Sequence, residues 1–393
     1  MPHPIRPSLV ADVARLALVS LVMTSPAHAF TSTGDEVADA FLTILDGRHG
    51  AVEDYDSVSL EDGLIVFSGL KLEGKSAFDN LAIQTTEITN GALSASGTFE
   101  AEEISLNGIA GQGDDVAFTL EHLTMSELSA PTGDDFLKRL ETTPHLVRYR
   151  ESEIRAANIQ LEDREPVSLG RAYILNEDYQ GNTPTKSQFI IEDLHMPKDA
   201  LDRKEKRTLE GLGYEAATFD VRGFMSWSPE EGTVDLDDLS VDLQDGGSLR
   251  MSFSLGGFTE ELMASLQDPD TEDSSDAMST LQALKLNKFS ANFEDNSLTQ
   301  RALKLRGEQL GGDESTAIKE VETTLPMMLS MLNNEAFSKS IQSALSTFME
   351  DPQNLSITAT PPQPVSAAEI LGLVLLSPQM IPTLLNAKVS ANQ

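Results

Sequence analysis

Alternation of apolar and polar residues is the sequence feature that most limits the fold of this chain. It is clearest in two long stretches, SVSLEDGLIVFSGLKLEG at 57–74 and TVDLDDLSVDLQDGGSLRMSFSLGGF at 233–258. A period of two residues is typical of strands that bury one face, and the Asp-Gly pairs between the runs are turn signals. The slip in phase at Asp237 and Asp238 predicts a β-bulge. Both stretches therefore predict antiparallel hairpins.

Shorter strand-like and helical patterns complete the predicted architecture. Helical patterns begin at Asp35, in a basic insert at about 198–213, and again from Asp313, where Pro326 should kink or break the helix. The prediction is an α+β, β-rich fold, a long curved antiparallel meander sheet with an N-terminal helix and a helical C-terminal region. Further strands are predicted at 81–83, 92–99, 104–109, 116–120, 154–161, 172–175, 189–194, 284–293, 298–305 and 355–359.

The first 29 residues read as a secretory signal peptide. Arg6 and Arg15 precede the apolar run LALVSLVM, and Ala27 and Ala29 occupy the small-residue positions before a cut. The run is too short to span a bilayer. We therefore expect cleavage between Ala29 and Phe30, export to a bacterial periplasm, and no transmembrane segment afterwards. Residues 30–310 then form a β-rich domain, and residues 311–393 form a mainly helical region that packs on the sheet.

Charge and cysteine content exclude several classes of function. The chain carries 63 acidic and 28 basic residues, for a formal net charge of −35, and it has no cysteine. Such a chain repels nucleic acid and anionic membrane surfaces. Disulfides, thiolate nucleophiles and cysteine-ligated metals are ruled out.

Residues 69–76, GLKLEGKS, match the phosphate-loop pattern G-x-x-x-x-G-K-[ST]. A phosphate loop needs a compact turn whose N–H groups converge on the anion, whereas Leu70 to Glu73 alternate as a strand does. Glu73 would also repel the phosphates. We expect a strand that ends in a Gly-Lys-Ser turn, and no nucleotide.

Catalytic and metal-binding signals are weak. His195, near Glu192, Asp193 and Asp199, is the best single candidate for a metal or hydrolytic site, and the acidic segment at Asp235–Asp242 is the other. The segment 268–279 imitates the start of a calcium loop, but it lacks the glycine and glutamate that such a loop requires. We expect no cofactor and no enzymatic activity, with an exported hydrolase that has a carboxylate or metal site as the alternative.

The helical insert concentrates positive charge in a chain that has little of it. This basic docking patch could meet an acidic partner or lipid headgroups, or it could balance local charge, with Asp202 and Glu205 interleaved. Its members are Lys198, Arg203, Lys204, Lys206 and Arg207.

The hairpin stretches 56–74 and 234–257 resemble envelope proteins of the AsmA-like kind, whose strands form a long curved sheet. The resemblance implies a Gram-negative envelope setting and, for some relatives, a groove that handles lipids. We expect an apolar ligand such as a lipid, or an envelope protein, on the inner face of the sheet. A structural or assembly role through the C-terminal helices is a further alternative. The residues expected to line this apolar groove, or simply to form core, are Leu64, Val66, Leu239, Val241, Met251 and Phe253.

Overall fold

The computed structural model describes residues 30–45, 50–74, 80–132, 147–266 and 283–393. The predicted signal peptide and the calcium-like segment lie outside these residues. The chain divides into two compact units. Unit 1 runs to Asn176 and includes residues 181–183, and unit 2 comprises residues 177–180 and 184–393. The boundary predicted near residue 310 falls inside unit 2.

The described residues form both strands and helices. The strands are β1 (Gly50–Asp54), β2 (Ser57–Glu61), β3 (Leu64–Gly74), β4 (Asn80–Thr89), β5 (Ala92–Leu93), β6 (Thr98–Gln112), β7 (Val116–Pro131), β8 (Glu151–Leu161), β9 (Val167–Gln180), β10 (Thr183–Pro197), β11 (Ala216–Ser228), β12 (Thr233–Leu243), β13 (Gly247–Gly256), β14 (Lys285–Asp295), β15 (Asn354–Ala359), β16 (Val365–Ser366) and β17 (Lys388–Ala391). The helices are α1 (Glu36–Leu45), α2 (Arg203–Gly211), α3 (Glu260–Leu266), α4 (Leu298–Gln309), α5 (Glu314–Leu329), α6 (Glu335–Glu350), α7 (Ala367–Leu376) and α8 (Ile381–Leu384), with 3₁₀ turns at Lys198–Ala200, Ser330–Leu332 and Pro378–Met380.

Unit 1 is an antiparallel meander that packs one face against helix α1. Strand β3 pairs with β1, β2 and β4, β4 pairs with β6, and the ladder continues through β7 and β8 to β9. Asp35 caps α1 by accepting the N–H groups of Val37 and Ala38 at 3.0 and 2.9 Å. The cap fixes the start of the helix, whose apolar side then lies on the sheet.

Aromatic contacts hold α1 on the sheet. The ring of Phe41 lies 6.0 Å from that of Phe67 and 6.1 Å from that of Phe99. Tyr55 meets Phe67 edge-on at 5.6 Å. Phe67 and Phe99 are fully buried, and aromatic pairs in such tilted arrangements add stability beyond the burial of their area. This cluster is the core at the N-terminal end of unit 1.

The buried face changes phase at one level across the unit 1 sheet. On β3, Ile65 and Phe67 are buried, and after Gly69 the buried residues are Leu70 and Leu72. A cross-strand row of residues runs through the ladder from Gly69. On alternate strands the residue in this row has a positive φ: +65° at Gly69, +64° at Gly108 and +53° at Ala156. A left-handed residue inside a strand rotates the chain, so the side chains that follow stay on the core face.

Gly108→Ala is expected to destabilise unit 1 by about 1–2 kcal/mol, the cost of a left-handed conformation for a residue with a Cβ. The added Cβ would also lie 2.4 Å from Cδ of Gln84, whose side chain would have to move. Gly372→Ala is the control, since this helical glycine has nothing within 4 Å of an added Cβ. The control should raise stability slightly. Thermal unfolding of both variants measures the difference, and equal shifts would contradict the account.

Unit 2 contains a second antiparallel ladder. Strands β10 to β15 pair in sequence order, β15 also pairs with β17, and β14 pairs with β16. The register of β12 on β13 shifts between Leu236 and Leu239, and Asp238 has a φ of +53°. The bulge predicted at Asp237 and Asp238 is therefore confirmed. Helix α6 packs on this sheet, where Phe348 meets Phe293 at 6.1 Å.

The predicted fold class is confirmed: the chain is α+β and β-rich, with an antiparallel meander, an N-terminal helix and a helical C-terminal region. One strand prediction is wrong, because residues 298–305 belong to helix α4. Their alternation is brief, and Asp295 accepts the N–H of Thr299 at 2.8 Å in the first turn. Pro326 lies inside α5, which ends three residues later at Leu329.

Candidate functional site

Four of the six predicted groove residues share one face of the unit 2 sheet. Leu239 lies opposite Met251, Val241 lies opposite Leu249, and Phe253 lies opposite Phe289. All four predicted residues are half-buried. The alternation of β12 and β13 therefore places them on a common apolar face, as expected from their spacing.

The other two predicted groove residues lie in unit 1 and on a different kind of surface. Leu64 is paired with Thr89, and Val66 is paired with Glu87. The core face of the same strand carries Ile65. Leu64 and Val66 therefore border the polar face of the unit 1 sheet.

The apolar face of unit 2 leads to a pocket of about 350 Å³ between the sheet and the C-terminal helices. Its floor comes from β14 and β15, and its other walls come from the segments around α6 and α8. Thr358 is the single polar residue in its lining, and the apolar lining residues include Leu286, Phe289, Ile357, Ala359, Leu332, Phe337, Ile381, Pro382 and Leu385. Phe289 is the direct neighbour of Phe253 on β13, so the pocket continues the predicted apolar surface.

Asn334 joins the two helical walls of this pocket. Its side-chain oxygen caps α6 by accepting the N–H of Phe337 at 3.0 Å, which positions Phe337 at the pocket. Its side-chain amide donates to the carbonyl oxygen of Gln379 at 2.9 Å. One residue thus connects the start of α6 to the 3₁₀ turn before α8.

Large apolar side chains next to the pocket lining are exposed. Met331 precedes the lining residue Leu332 and is 80% exposed, and Met380 precedes Ile381 and is 55% exposed. On α7, Leu375 and Leu376 are 84% and 85% exposed. The sequence from 370 to 387 contains no charged residue. Clusters of exposed apolar side chains often mark binding surfaces.

A family model matches residues 240–392. Its description is "Uncharacterized protein", and no curated protein matches the chain. All residues that line the apolar pocket fall within the matched segment. Its first residue, Ser240, lies in β12.

The predicted basic patch separates into two groups. Lys198 pairs with Glu215 at 2.7 Å, and Lys206 pairs with Asp199. The second group comprises Arg203, Lys204 and Arg207, which line an open cleft of about 520 Å³. Ion pairs therefore account for two of the five cations. The other three have no carboxylate partner among the described residues.

The predicted hydrolytic candidates are held in structural contacts. Nδ1 of His195 lies 2.9 Å from Oγ1 of Thr218, and Asp238 is exposed within the bulge. Burial raises the pKa of Asp242, but the hydrogen bond from Ser240 and two arginine charges outweigh it, so this pKa lies below its ordinary value. Asp242 is therefore held as a carboxylate and is poorly suited to act as a general acid.

Three further features bear on function. Residues 69–74 of the phosphate-loop pattern are part of strand β3, and Lys75 and Ser76 lie outside the described residues. Within the described ranges, no group of three or more histidine, aspartate or glutamate side chains could hold a metal ion. In the same ranges, no helix combines the length and apolar character that crossing a membrane requires.

The polar face of the unit 1 sheet contains a charged cluster. Glu153 receives Nε of Arg171 at 2.5 Å and Nη2 of Arg155 at 2.8 Å, and its side chain is largely buried. Burial raises the pKa of Glu153, but its hydrogen bonds and ion pairs with both guanidinium groups outweigh burial and hold that pKa below its ordinary value. The carboxylate therefore stabilises the folded state as an anion.

Glu153→Gln is expected to reduce the stability of unit 1 at neutral pH and to change its pH dependence. Because the folded pKa is lowered, the stabilisation is present above the unfolded pKa and is lost as the pH falls through the folded value. The difference between wild type and variant should therefore shrink below about pH 4.5. Glu87→Gln, on the same cross-strand row and exposed, is the control. Denaturant unfolding at several pH values tests this, and a difference that stays constant with pH would contradict it.

Proposed function

We propose that this protein is an exported, non-enzymatic protein that holds one acyl chain of a lipid in the apolar pocket of unit 2. The observation that carries the proposal is the lining of that pocket, which has one polar residue, Thr358. Ligand sites are concave and mostly apolar, with few polar groups. A lining with one polar residue fits a hydrocarbon chain better than it fits a substrate that must be oriented by hydrogen bonds.

The size of the pocket limits the ligand. A volume of about 350 Å³ is at the lower end of the range for small-molecule sites, which is about 300–1,000 Å³. Such a space takes a single chain and leaves a headgroup outside. Burial of about ten methylene groups would contribute about 8 kcal/mol before the costs of association. We therefore expect a dissociation constant weaker than about 1 µM.

The exposed side chains beside the pocket support entry from an apolar environment. Met331, Met380 and the α7 residues Leu375 and Leu376 provide an apolar path outside the lining. The same exposure favours a second candidate function, in which the C-terminal helices bind an envelope protein. The two functions differ in whether a hydrocarbon occupies the pocket itself.

The cellular setting rests on the sequence. The signal peptide with a cut between Ala29 and Phe30 favours the periplasm. The resemblance of the hairpin stretches to AsmA-like proteins favours a Gram-negative envelope, where lipid chains are abundant. Both belong to the proposal.

The test is titration of the purified protein with Nile red, an uncharged dye, followed by displacement with dodecan-1-ol. An uncharged pair avoids repulsion by a chain of net charge −35. The proposal expects saturable dye binding with one site per chain and displacement by the alcohol. Dye binding that does not saturate, or that the alcohol leaves unchanged, would contradict the acyl-chain site and favour the protein partner.

A further inference from the structure

Three cations of helix α2 share one face of that helix. With about 100° between successive residues of an α-helix, Arg203, Lys204, Arg207 and Thr208 project within one arc. Glu205 and Lys206 fall on the opposite side, where Lys206 pairs with Asp199. The three cations that face the cleft therefore lie on a different side of the helix from Glu205.

None of these three cations has an ion pair with a carboxylate in the part of the chain that the structure describes. Carboxylates are plentiful, since the chain has 63 acidic residues. Some other cations of unit 2 are paired: Arg250 lies 3.2 Å from Glu294, and Lys339 lies 2.7 Å from Glu335. Three adjacent unpaired cations in so acidic a chain indicate a binding role more than a balance of charge.

The opposite wall of the cleft is fixed by helix α4. Leu305 and Gln309 complete the lining, and Leu305 packs closely on α2, because a Cβ added to Gly211 would lie 2.6 Å from its Cδ1. Arg301 donates to the carbonyl oxygens of Leu212 and Gly213 at 3.1 and 3.2 Å. These contacts hold the end of α2 on α4, so the cleft has two rigid helical walls.

The chemistry of the cleft is that of an anion site. Two guanidinium groups, one ammonium group and a side-chain amide all offer hydrogen-bond donors. Arginine forks match the oxygens of a phosphate group in bidentate geometry, and lysine adds a point charge. The nearby Arg306 is held by Glu320, with Nε 2.7 Å from Oε2, and is not needed for the site.

We propose that this cleft binds a phosphate group, carried by a free phosphate compound or by a lipid headgroup. Arg203 and Arg207 contact its oxygens, Lys204 supplies further charge, and Gln309 donates a hydrogen bond from the opposite wall. The site is independent of the apolar pocket and stands if the acyl-chain proposal fails.

The test is calorimetric titration of the full chain with inorganic phosphate at fixed ionic strength, compared with the variant Arg203→Gln/Arg207→Gln. The control is Lys288→Gln/Lys388→Gln, which removes two exposed charges from the sheet. We expect saturable binding that weakens at least tenfold in the arginine variant and less than twofold in the control. Equal weakening in both variants, or no saturable binding to wild type, would overturn the proposal.

Two further ligands separate the sources of the phosphate. Glycerophosphocholine presents a lipid headgroup without acyl chains, and citrate presents carboxylates alone. Tighter binding of glycerophosphocholine than of inorganic phosphate assigns the site to a headgroup, and the reverse assigns it to a free phosphate compound. If citrate binds as tightly as inorganic phosphate and glycerophosphocholine do, the phosphate assignment is overturned in favour of an acidic partner. All substituted side chains are exposed, so the circular dichroism spectrum should be unchanged.

Discussion

Leu385→Trp should weaken the binding of dodecan-1-ol at least tenfold. Leu385 is half-buried at the end of α8 and lines the apolar pocket. An indole ring at this position would occupy much of a cavity of about 350 Å³ and leave too little room for a hydrocarbon chain. Tenfold corresponds to about 1.4 kcal/mol, less than the burial of two methylene groups contributes. Displacement of Nile red measures the change.

The matched control is Leu375→Trp, the same substitution at a residue of α7 that is 84% exposed and outside the pocket lining. It should change the affinity less than twofold. If both substitutions weaken binding equally, the alcohol binds to the exposed apolar surface and the pocket is not its site. If neither does, the alcohol binds elsewhere in the chain.

Leu70→Ala should destabilise unit 1 by about 2–5 kcal/mol, the range for leucine truncation in a closed core. Leu70 is 1% exposed on strand β3, directly across from Ile83 on β4. Its loss removes apolar contacts and leaves a cavity beneath the sheet. Denaturant unfolding followed by far-UV circular dichroism measures the free energy of unfolding.

Leu60→Ala on the neighbouring strand β2 is the control, because Leu60 is 47% exposed. Its cost should stay near 0.5 kcal/mol, as for surface substitutions. The two variants share the same chemical change, so the difference between them isolates burial. Equal costs would mean that the core assigned to unit 1 is misplaced.

The strands could be predicted from the sequence where polar and apolar residues alternate strictly. Leu239 and Met251 fall on one face, and the bulge at Asp237 and Asp238 is visible as a slip of phase. In LIVF, at 64–67, four apolar residues follow one another, so alternation cannot say which pair is buried. Phe67 is buried because it packs against α1. The alternation within a strand does not predict a contact of this kind with another element.

The apolar pocket could not be predicted for a related reason. Its walls combine residues as far apart in sequence as Leu286 and Ala387, and no local pattern specifies that helices α6 and α8 meet the sheet there. A signal was nevertheless present, since residues 370–387 are mostly apolar and carry no charge. The basic cleft is similar. The cluster was visible in sequence, but the pairing that leaves Arg203 and Arg207 without a carboxylate partner among the described residues depends on tertiary contacts.

Export and the envelope setting remain predictions. The signal peptide and the cleavage site before Phe30 precede or border the described residues, and the matched family segment carries no functional description.

The most direct test of the acyl-chain proposal is native mass spectrometry of protein purified gently from its own envelope fraction. Material that co-purifies is extracted and identified. The account predicts one lipid or fatty acyl species per chain, which dissociates on unfolding and is absent from Leu385→Trp. A bare chain that also takes up no added lipid would contradict the account and would direct the search to a protein partner of the C-terminal helices.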